Sequence, residues 1–273
     1  MKRILFVMFF TFFGIVTTYS QFFLNQNVTV SLGNNVLVYI DTDLELSTGS
    51  NMTQSGTGTI YITGNWTNNG GTFNPGSGVV NIIGTGNSTI SGSSSTTFYD
   101  LIINKNSTLQ FVTLGNNVNI SNDLRVLNGT LDLQTYSINA LAGSNGTFEL
   151  TANARLFVGG TNDLSTTINN YSSYTINTSS IINFNGANQT FTNKPTNLTQ
   201  NFTTNTGGLG TVWLSNTGTK FANSPLLIRG NLIVYTGVTL QNALGVDALA
   251  VRGSIINNAS ILNEGVIEIG TEP

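Results

Sequence analysis

The stretch Gly64–Phe73 reads GNWTNNGGTF, and its pattern returns at Ser121–Leu131 as SNDLRVLNGTL. Two later stretches, Gly230–Gly237 (GNLIVYTG) and Gly253–Asn258 (GSIINN), begin in the same way. Each copy has a small or polar entry, a large apolar residue, and alternating apolar and polar positions leading to a turn. Units of this kind bury their apolar faces against their neighbours, so the repeat predicts a solenoid or an array of repeats.

The strands of this fold are predicted from period-two alternation, which recurs in segments such as Val36–Ile40 (VLVYI), Thr59–Ile62 (TIYI) and Thr147–Leu150 (TFEL). Residues that alternate in this way place one apolar face of a strand against a core. No segment sustains helical spacing of apolar residues over three turns. We therefore expect an all-β protein, with helix confined to a leader or a short cap.

Two β architectures fit this pattern. The Asn-Gly pairs favour tandem antiparallel β-sandwich repeats if they form hairpins, but both residues also suit the corners of stacked parallel strands. Short strands, closely spaced turns and a shared inward apolar position favour an elongated parallel β-helix. Repeated Asn residues are then expected to stack amide on amide along the axis. The Asn-Gly pairs are at 69–70, 128–129, 145–146 and 185–186, and the shared position is occupied by Trp66, Leu124, Leu232 and Ile255.

The chain divides into three parts. Residues 1–20 begin with Lys2 and Arg3, continue with the apolar run Ile4–Val16 and end in small and polar residues, which is typical of a cleaved signal peptide. Residues 21–58 are expected to form an N-terminal cap and the first coils, and residues 59–273 the repetitive solenoid body. No later stretch is long and apolar enough for a membrane span, so we expect a protein that is secreted or displayed on the outer cell surface.

Composition excludes several classes of function. The chain has no Cys and no His, which removes thiolate metal sites, disulfides and histidine-based catalysis. Its net charge is −3 and only 8% of its residues are charged, so it has no basic surface for nucleic acid. We assign no catalytic residue and expect a protein that is not an enzyme and needs no cofactor, apart from a possible Ca²⁺ ion.

The best acidic cluster is Asp41, Asp43 and Glu45. In an extended strand these three side chains share one face, with about 6.5–7 Å between successive positions. Carboxylates at this spacing are candidate ligands for Ca²⁺, with carbonyl oxygens completing the coordination shell. The same spacing fits a carboxylate pair for glycoside hydrolysis, and it equally fits a solvated strand face that discourages edge pairing.

A second charged group consists of Asp123, Arg125 and Asp132. A polysaccharide lyase built on a β-helix needs acids to bind metal or substrate and a base beside them. The simpler interpretation is an exposed ion pair.

Tyr171 and Tyr174 lie in a polar stretch rich in Asn, Ser and Thr. Exposed aromatic rings stack on the apolar faces of sugars, so this pair is a candidate carbohydrate-binding platform; partial burial with a wet hydroxyl is the simpler alternative. Trp66 shares its repeat position with Leu and Ile and is expected in the core, whereas Trp213 and Tyr235 are less constrained.

Gly64–Val80 and Ser94–Ile103 combine a Gly-Asn-Trp run, a Gly-Ser-Gly-Val run and a Phe-Tyr-x-Leu-x-Ile run. This order resembles the Asn/Gly/Thr-rich β-solenoid repeat segments of secreted surface adhesin-like proteins of the Bacteroidota (flavobacterial). The resemblance implies an extracellular, adhesin-like or matrix-like role.

Two functions are consistent with these features. The first is a secreted or cell-surface structural or adhesin-like repeat protein, a stalk whose neutral polar face makes weak multivalent contacts with extracellular glycans or other surface proteins. The alternative is a carbohydrate-active protein, either a polysaccharide-binding module or a β-helix lyase or hydrolase. An enzyme requires one concentrated cluster of acids and bases, whereas a stalk requires uniform neutral rows.

Overall fold

The computed structural model describes residues 21–141, 145–202, 204–243 and 249–270, so the predicted signal peptide lies outside the described residues. The described chain winds into a β-solenoid of about eleven parallel stacked coils and contains almost no helix. The prediction of an all-β parallel β-helix is confirmed. Tandem antiparallel sandwiches, the alternative, are wrong for this chain because its strands pair in parallel with their equivalents one coil away.

Each coil contributes strands to three walls, and strands are numbered in chain order. The first wall contains β1 (Phe22–Leu24), β4 (Leu44–Ser47), β7 (Trp66–Asn69), β10 (Ser88–Ser91), β13 (Phe111–Leu114), the second half of β15 (Leu124–Asp132), β18 (Ala154–Val158), β20 (Ile181–Phe184), β24 (Thr211–Leu214), β27 (Leu232–Val234) and β30 (Ile255–Asn257).

The second wall contains β2 (Thr29–Leu32), β5 (Asn51–Gln54), β8 (Thr72–Asn74), β11 (Thr96–Phe98), β14 (Val118–Ile120), β16 (Ile138–Ala140), β21 (Gln189–Thr190), β25 (Gly218–Ala222), β28 (Val238–Asn242) and β31 (Ser260–Asn263). The third wall contains β3 (Leu37–Ile40), β6 (Thr59–Ile62), β9 (Val79–Ile82), β12 (Asp100–Asn104), the first half of β15, β17 (Thr147–Leu150), β19 (Ser173–Ile176) and, after an interruption, β26 (Leu226–Ile228), β29 (Leu249–Val251) and β32 (Ile267–Ile269).

The Asn-Gly pairs at 69–70 and 128–129 lie at or near corners of the coil instead of in hairpins. Gly70 has φ of +96° and Gly129 has φ of +101°, a region that only glycine enters without strain. The bend at Gly129 lets β15 pair with third-wall strands in its first half and with first-wall strands in its second half. Parallel pairing continues on both sides of these corners, because the glycines redirect the strand without reversing it.

Inward positions of the strands form apolar columns that run along the axis. One first-wall column shows the principle, because each member pairs with the next: Val112, Leu131, Leu156, Ile182, Val212, Leu232 and Ile255. Trp66 is fully buried, as expected, but it belongs to the neighbouring column of this wall. Leu124 is also buried, yet it faces the core from the third wall. The prediction that these four residues share one column is therefore wrong.

Asn and Asp side chains connect successive coils at the corners. A side-chain Oδ1 atom accepts a hydrogen bond from a backbone N–H of the next coil, as in Asn65 to Thr89 N at 2.8 Å and Asn231 to Ser254 N at 2.8 Å. These bonds satisfy backbone donors where the strand ladder ends. The residues that accept such bonds are Asn34, Asp43, Asn65, Asn69, Asn87, Asp100, Asn117, Asp123, Asn188 and Asn231.

The regular winding is interrupted at two places in the middle of the body. A one-turn helix, α1 (Leu164–Thr167), follows β18, and Asp163 caps it by accepting Thr166 N at 2.9 Å. The expectation of no helix in the body is therefore wrong for this turn. In the next coil, the described residues of the segment 192–208, namely 192–202 and 204–208, leave the walls and include an antiparallel pair, β22 (Gln200–Asn201) with β23 (Thr206–Gly207).

The division predicted after residue 58 lies in the turn between β5 and β6. β3 lies on the N-terminal side of this point and pairs in parallel with β6 on the other side, in unbroken register from Leu37–Thr59 to Ile40–Ile62. The first coil thus continues directly into the body.

Candidate functional site

The acidic cluster lies where the first coil passes into the second. Asp41 is exposed and its Oδ1 accepts the Thr63 hydroxyl at 3.0 Å, while Asp43 Oδ1 accepts Asn65 N at 2.7 Å. Glu45 Oε1 accepts Asn69 Nδ2 at 2.9 Å. Each carboxylate is thus directed to a different donor of the next coil, and the described residues hold no group of three acidic side chains arranged to bind a metal ion. The Ca²⁺ site stays a prediction.

Asp123, Arg125 and Asp132 do not form one cluster. Asp123 Oδ1 accepts Thr147 N at 2.8 Å, and Arg125 Nε donates to Glu149 Oε2 at 2.6 Å on the outer face of the third wall. Asp132 lies beyond the Gly129 bend, in the first wall. There it is buried, and burial raises the pKa of its carboxyl group. Because β15 turns a corner between them, the two aspartates belong to different faces.

Tyr171 and Tyr174 pack against the core. The Tyr171 ring is 0% exposed, and its centroid lies 6.0 Å from that of Phe148. Tyr174 pairs in register with Phe148 on the inward side of the third wall, and its hydroxyl donates to Ile168 O at 2.8 Å. Burial raises the pKa of Tyr174 to about 12. A sugar-stacking platform made of both rings is therefore wrong, because a fully buried Tyr171 offers no face to a ligand; Tyr174 alone is half-buried.

Trp213 belongs to an aromatic group on the outer face of the first wall. Its ring makes an edge contact with Tyr235 at 5.8 Å between centroids, and Arg155 Cζ lies 5.3 Å from the ring centroid. Arginine over an indole gains a cation–π attraction and covers apolar surface. Trp66, in contrast, packs inside against Phe73 and Phe98.

Two lysines are buried in the body, which sequence analysis did not find. Lys105 is 1% exposed and its Nζ donates to Ile83 O at 2.7 Å and Ser88 Oγ at 2.7 Å. Lys220 is 0% exposed and its Nζ donates to Gly186 O and Gln189 Oε1. Burial lowers the pKa of each lysine to about 8. The only sequence feature that could have indicated this burial was the position of Lys220 on an alternating strand. The sequence around Lys105 has no comparable feature.

One surface cleft lies at the interruption of the third wall, between β19 and β26, and has a volume of about 270 Å³. Arg229 follows β26 and lines it, with Nη2 donating to Ile176 O at the end of β19. Arg229 Nε is buried and has no hydrogen-bond partner, and burial lowers the pKa of the guanidinium. The lining residues are Glu149, Leu150, Thr151, Thr175, Ile176, Asn177, Thr178 and Arg229.

The second cleft, of about 390 Å³, lies between α1 and the segment 192–208. Its cation, Lys194, donates to Leu198 O at 3.0 Å, and Asn193 Nδ2 donates to Asp163 Oδ2 at 2.8 Å. Polar groups therefore line this cleft but are largely bonded to one another. The lining residues are Ser165, Thr192, Asn193, Lys194, Gln200, Ser224 and Pro225.

Comparison with known proteins gives little beyond the fold. No protein-family model matches the chain, and no curated protein matches it. Among solved structures, the Tapirin C-terminal domain of Caldicellulosiruptor kristjanssonii is similar over 93% of this chain, with 14% identity and a TM-score of 0.20. The matched region is 56% of that chain's length. A match at this TM-score does not bear on function, so the class of protein is defined by the architecture: a three-walled parallel β-solenoid.

No described part of the chain forms a helix with the length and apolar character of a membrane span.

Proposed function

We propose that the protein is a secreted or cell-surface structural repeat protein, a rigid adhesin-like stalk that makes weak, repeated contacts with extracellular glycans. The observation that carries this proposal is the use of the polar side chains. Asn, Asp, Ser and Thr bridge successive coils, so the corners carry rows of mostly neutral, hydrogen-bonded groups along the body. Such a surface offers many similar low-affinity contacts, which gain strength through multivalency.

A non-catalytic role is supported by the separation of Asp123 from Asp132 and by the bonding of the acidic cluster. Glycoside hydrolysis needs two carboxyl groups facing each other across the scissile bond, about 5–9.5 Å apart. Asp123 and Asp132 lie on different faces, and the carboxylates of the acidic cluster are each occupied by a donor from the next coil. Export is supported by the leader-like residues 1–20.

The alternative is a polysaccharide-binding module, and the cleft beside Arg229 favours it over a lyase. This cleft combines one cation, Arg229, with hydroxyl and amide groups, and its one carboxylate, Glu149, is held in an ion pair by Arg125. The two proposals are compatible, because a long rigid stalk can carry a binding cleft as one of its contact points.

The test is retention on immobilised polysaccharides, both neutral and acidic, with and without Ca²⁺, while release of new reducing ends is measured in the same samples. We expect retention without cleavage. Loss of retention on chelation would assign the predicted Ca²⁺ site, with Asp43→Ala as the variant that removes it. Release of chain ends would contradict the non-catalytic proposal, and absence of retention on every glycan would contradict the adhesive one.

A further inference from the structure

We propose that the cleft between β19 and β26, defined above by Arg229 and Glu149, binds a carboxylate-bearing sugar, namely a hexuronate residue of an acidic polysaccharide. This inference rests on the proposed function and names the class of glycan that the stalk recognises. It concerns a site that arises only where the regular winding is interrupted.

The cleft exists because the coil that contains residues 192–208 contributes no strand to the third wall. Leu209 makes a single parallel bridge to Ile228 in place of a strand there. Arg229 then spans the interruption from β26 back to Ile176 O, a separation of 53 residues in sequence. A cation is thus fixed by a backbone contact at a step in an otherwise continuous wall, with Leu150 and Ile176 as its apolar neighbours.

Arg229 lacks an anion. Among the described residues it belongs to no ion pair, since the nearest acid lining the cleft, Glu149, is bonded to Arg125 at 2.6 Å. One N–H group of its guanidinium is used by Ile176 O, and Nε has no partner. A partly buried cation without a counter-charge is costly, and a charge-assisted bond to an anion offsets that cost.

The other lining groups favour a sugar acid over a phosphate. Thr175, Asn177 and Thr178 are exposed at the rim and present two hydroxyls and an amide, which suit the hydroxyl groups of a pyranose. Glu149 adds a carboxylate to the same cleft, and its partly exposed ion pair with Arg125 neutralises that charge only in part, so a dianion is repelled more strongly than a monoanion. One cation, one carboxylate and several neutral polar groups therefore match a singly charged, hydroxyl-rich ligand.

The experiment uses the purified protein and compares three probes by calorimetric titration: a trimeric galacturonate, the neutral galactose trimer of the same linkage, and inorganic phosphate. We expect the uronate to bind at least about tenfold more tightly than the neutral sugar, because a hydrogen bond to a charged group is stronger than one between neutral groups. Arg229→Gln should remove that preference. Arg155→Gln is the matched control, because Arg155 is an outer-wall arginine outside the cleft that packs on Trp213, and its loss should change uronate affinity less than about twofold.

A variant that is expected to bind more tightly distinguishes a specific effect on binding from a loss of binding caused by misfolding. Glu149→Gln removes the negative charge and leaves Arg125 beside the cleft as a second, unpaired cation, so it should tighten uronate binding at least about threefold while allowing phosphate to bind. Circular dichroism and thermal unfolding verify the fold of every variant. Equal affinity for acidic and neutral trimers, or an unchanged preference in Arg229→Gln, would overturn the uronate site and leave the adhesive function standing if neutral glycans are retained. Phosphate binding as tightly as uronate would also overturn it. Absence of binding to every glycan would overturn both proposals.

Discussion

At the residue scale, the abundance of Asn reflects hydrogen bonds between coils. Backbone N–H groups at a corner lose their strand partners, and an Asn or Asp side chain one coil earlier supplies the acceptor. The amide-on-amide pairing expected from the sequence also occurs, in the second wall: Asn74 Nδ2 donates to Asn51 Oδ1 at 3.1 Å, and Asn242 Nδ2 donates to Asn263 Oδ1 at 2.8 Å. The bonds at the corners differ from these pairs because they join side chains to the backbone.

Replacement of Asp43 separates the role of its oxygen from the role of its charge. Asp43→Ala should lower the free energy of unfolding by about 1–2 kcal/mol, because Asn65 N loses its acceptor. Asp43→Asn should stay within about 0.5 kcal/mol of the parent, since an amide oxygen accepts the same bond. Urea unfolding followed by circular dichroism measures both. If Asp43→Asn lowers the free energy of unfolding as much as Asp43→Ala, the negative charge of Asp43 is what stabilises the fold. Repeating the measurement with Ca²⁺ then tests the predicted ion site.

The buried lysines predict a dependence of stability on pH. The pKa of Lys105 and of Lys220 is about 8 in the folded state, against 10.5 for the ordinary side chain. Between these values the unfolded chain holds protons that the folded chain has released, so the free energy of unfolding rises with pH. The slope approaches about 1.4 kcal/mol per pH unit for each lysine. Tyr174, whose folded pKa is about 12, acts in the opposite direction only above its ordinary value of 10.0.

The measurement is urea unfolding between about pH 7 and 9.5, below the tyrosine range. The double variant Lys105→Met and Lys220→Met is the control and should show a flat profile over the same range. A parent protein whose stability is equally flat would show that the folded lysines keep their ordinary pKa.

At the scale of elements, the walls depend on inward side chains that fill the coil interior. The two interruptions of the regular winding show how much irregularity the walls tolerate. α1 and the segment 192–208 replace wall strands in adjacent coils, while the first wall continues through both coils without a break, from β18 to β20 and β24. One wall therefore maintains the winding and the other two can vary. The two clefts described above lie beside these interruptions.

Substitution of Trp66 measures how much the packed interior contributes to stability. It is 0% exposed and packs edge-on against Phe73 and Phe98, so Trp66→Ala should cost about 3–5 kcal/mol of unfolding free energy. Trp213→Ala is the matched control, with an expected loss of roughly 1–2 kcal/mol because its ring lies on the outer face. Thermal and urea unfolding by far-ultraviolet circular dichroism compare them. Equal losses would contradict the inward and outward assignment.

At the scale of the whole molecule, each coil contacts its neighbours, so stability is distributed along the axis. The coils are not equally buried. In the last described coil the inward residues Ile255, Ile261 and Ile267 are only half-buried, and Leu262 and Ile269 are 55% and 60% exposed. The inward residues of the middle coils are fully buried.

This gradient predicts the order of local opening. Backbone amides of residues 255–269 should exchange with solvent at least about 100-fold faster than those of β12, β15 and β18, because fewer apolar contacts oppose their opening. Native-state hydrogen exchange read by mass spectrometry measures this along the chain. Uniform protection from β12 to β32 would instead indicate that the solenoid opens only as one cooperative unit.

The sequence by itself determined the strand content and the burial of Trp66, because alternation and repeated turns are local patterns that recur in each coil. It favoured the parallel solenoid, and the strand pairing decided between that fold and sandwich repeats. It did not determine which wall a given inward residue faces, as Leu124 shows, since unequal coils shift the register. Tertiary structure alone decided that Tyr171 is buried, that Asp123 and Asp132 separate at the Gly129 bend, and that Arg229 meets Ile176. Those contacts join residues from different coils, and their positions depend on coil lengths and corner geometry that no single repeat encodes.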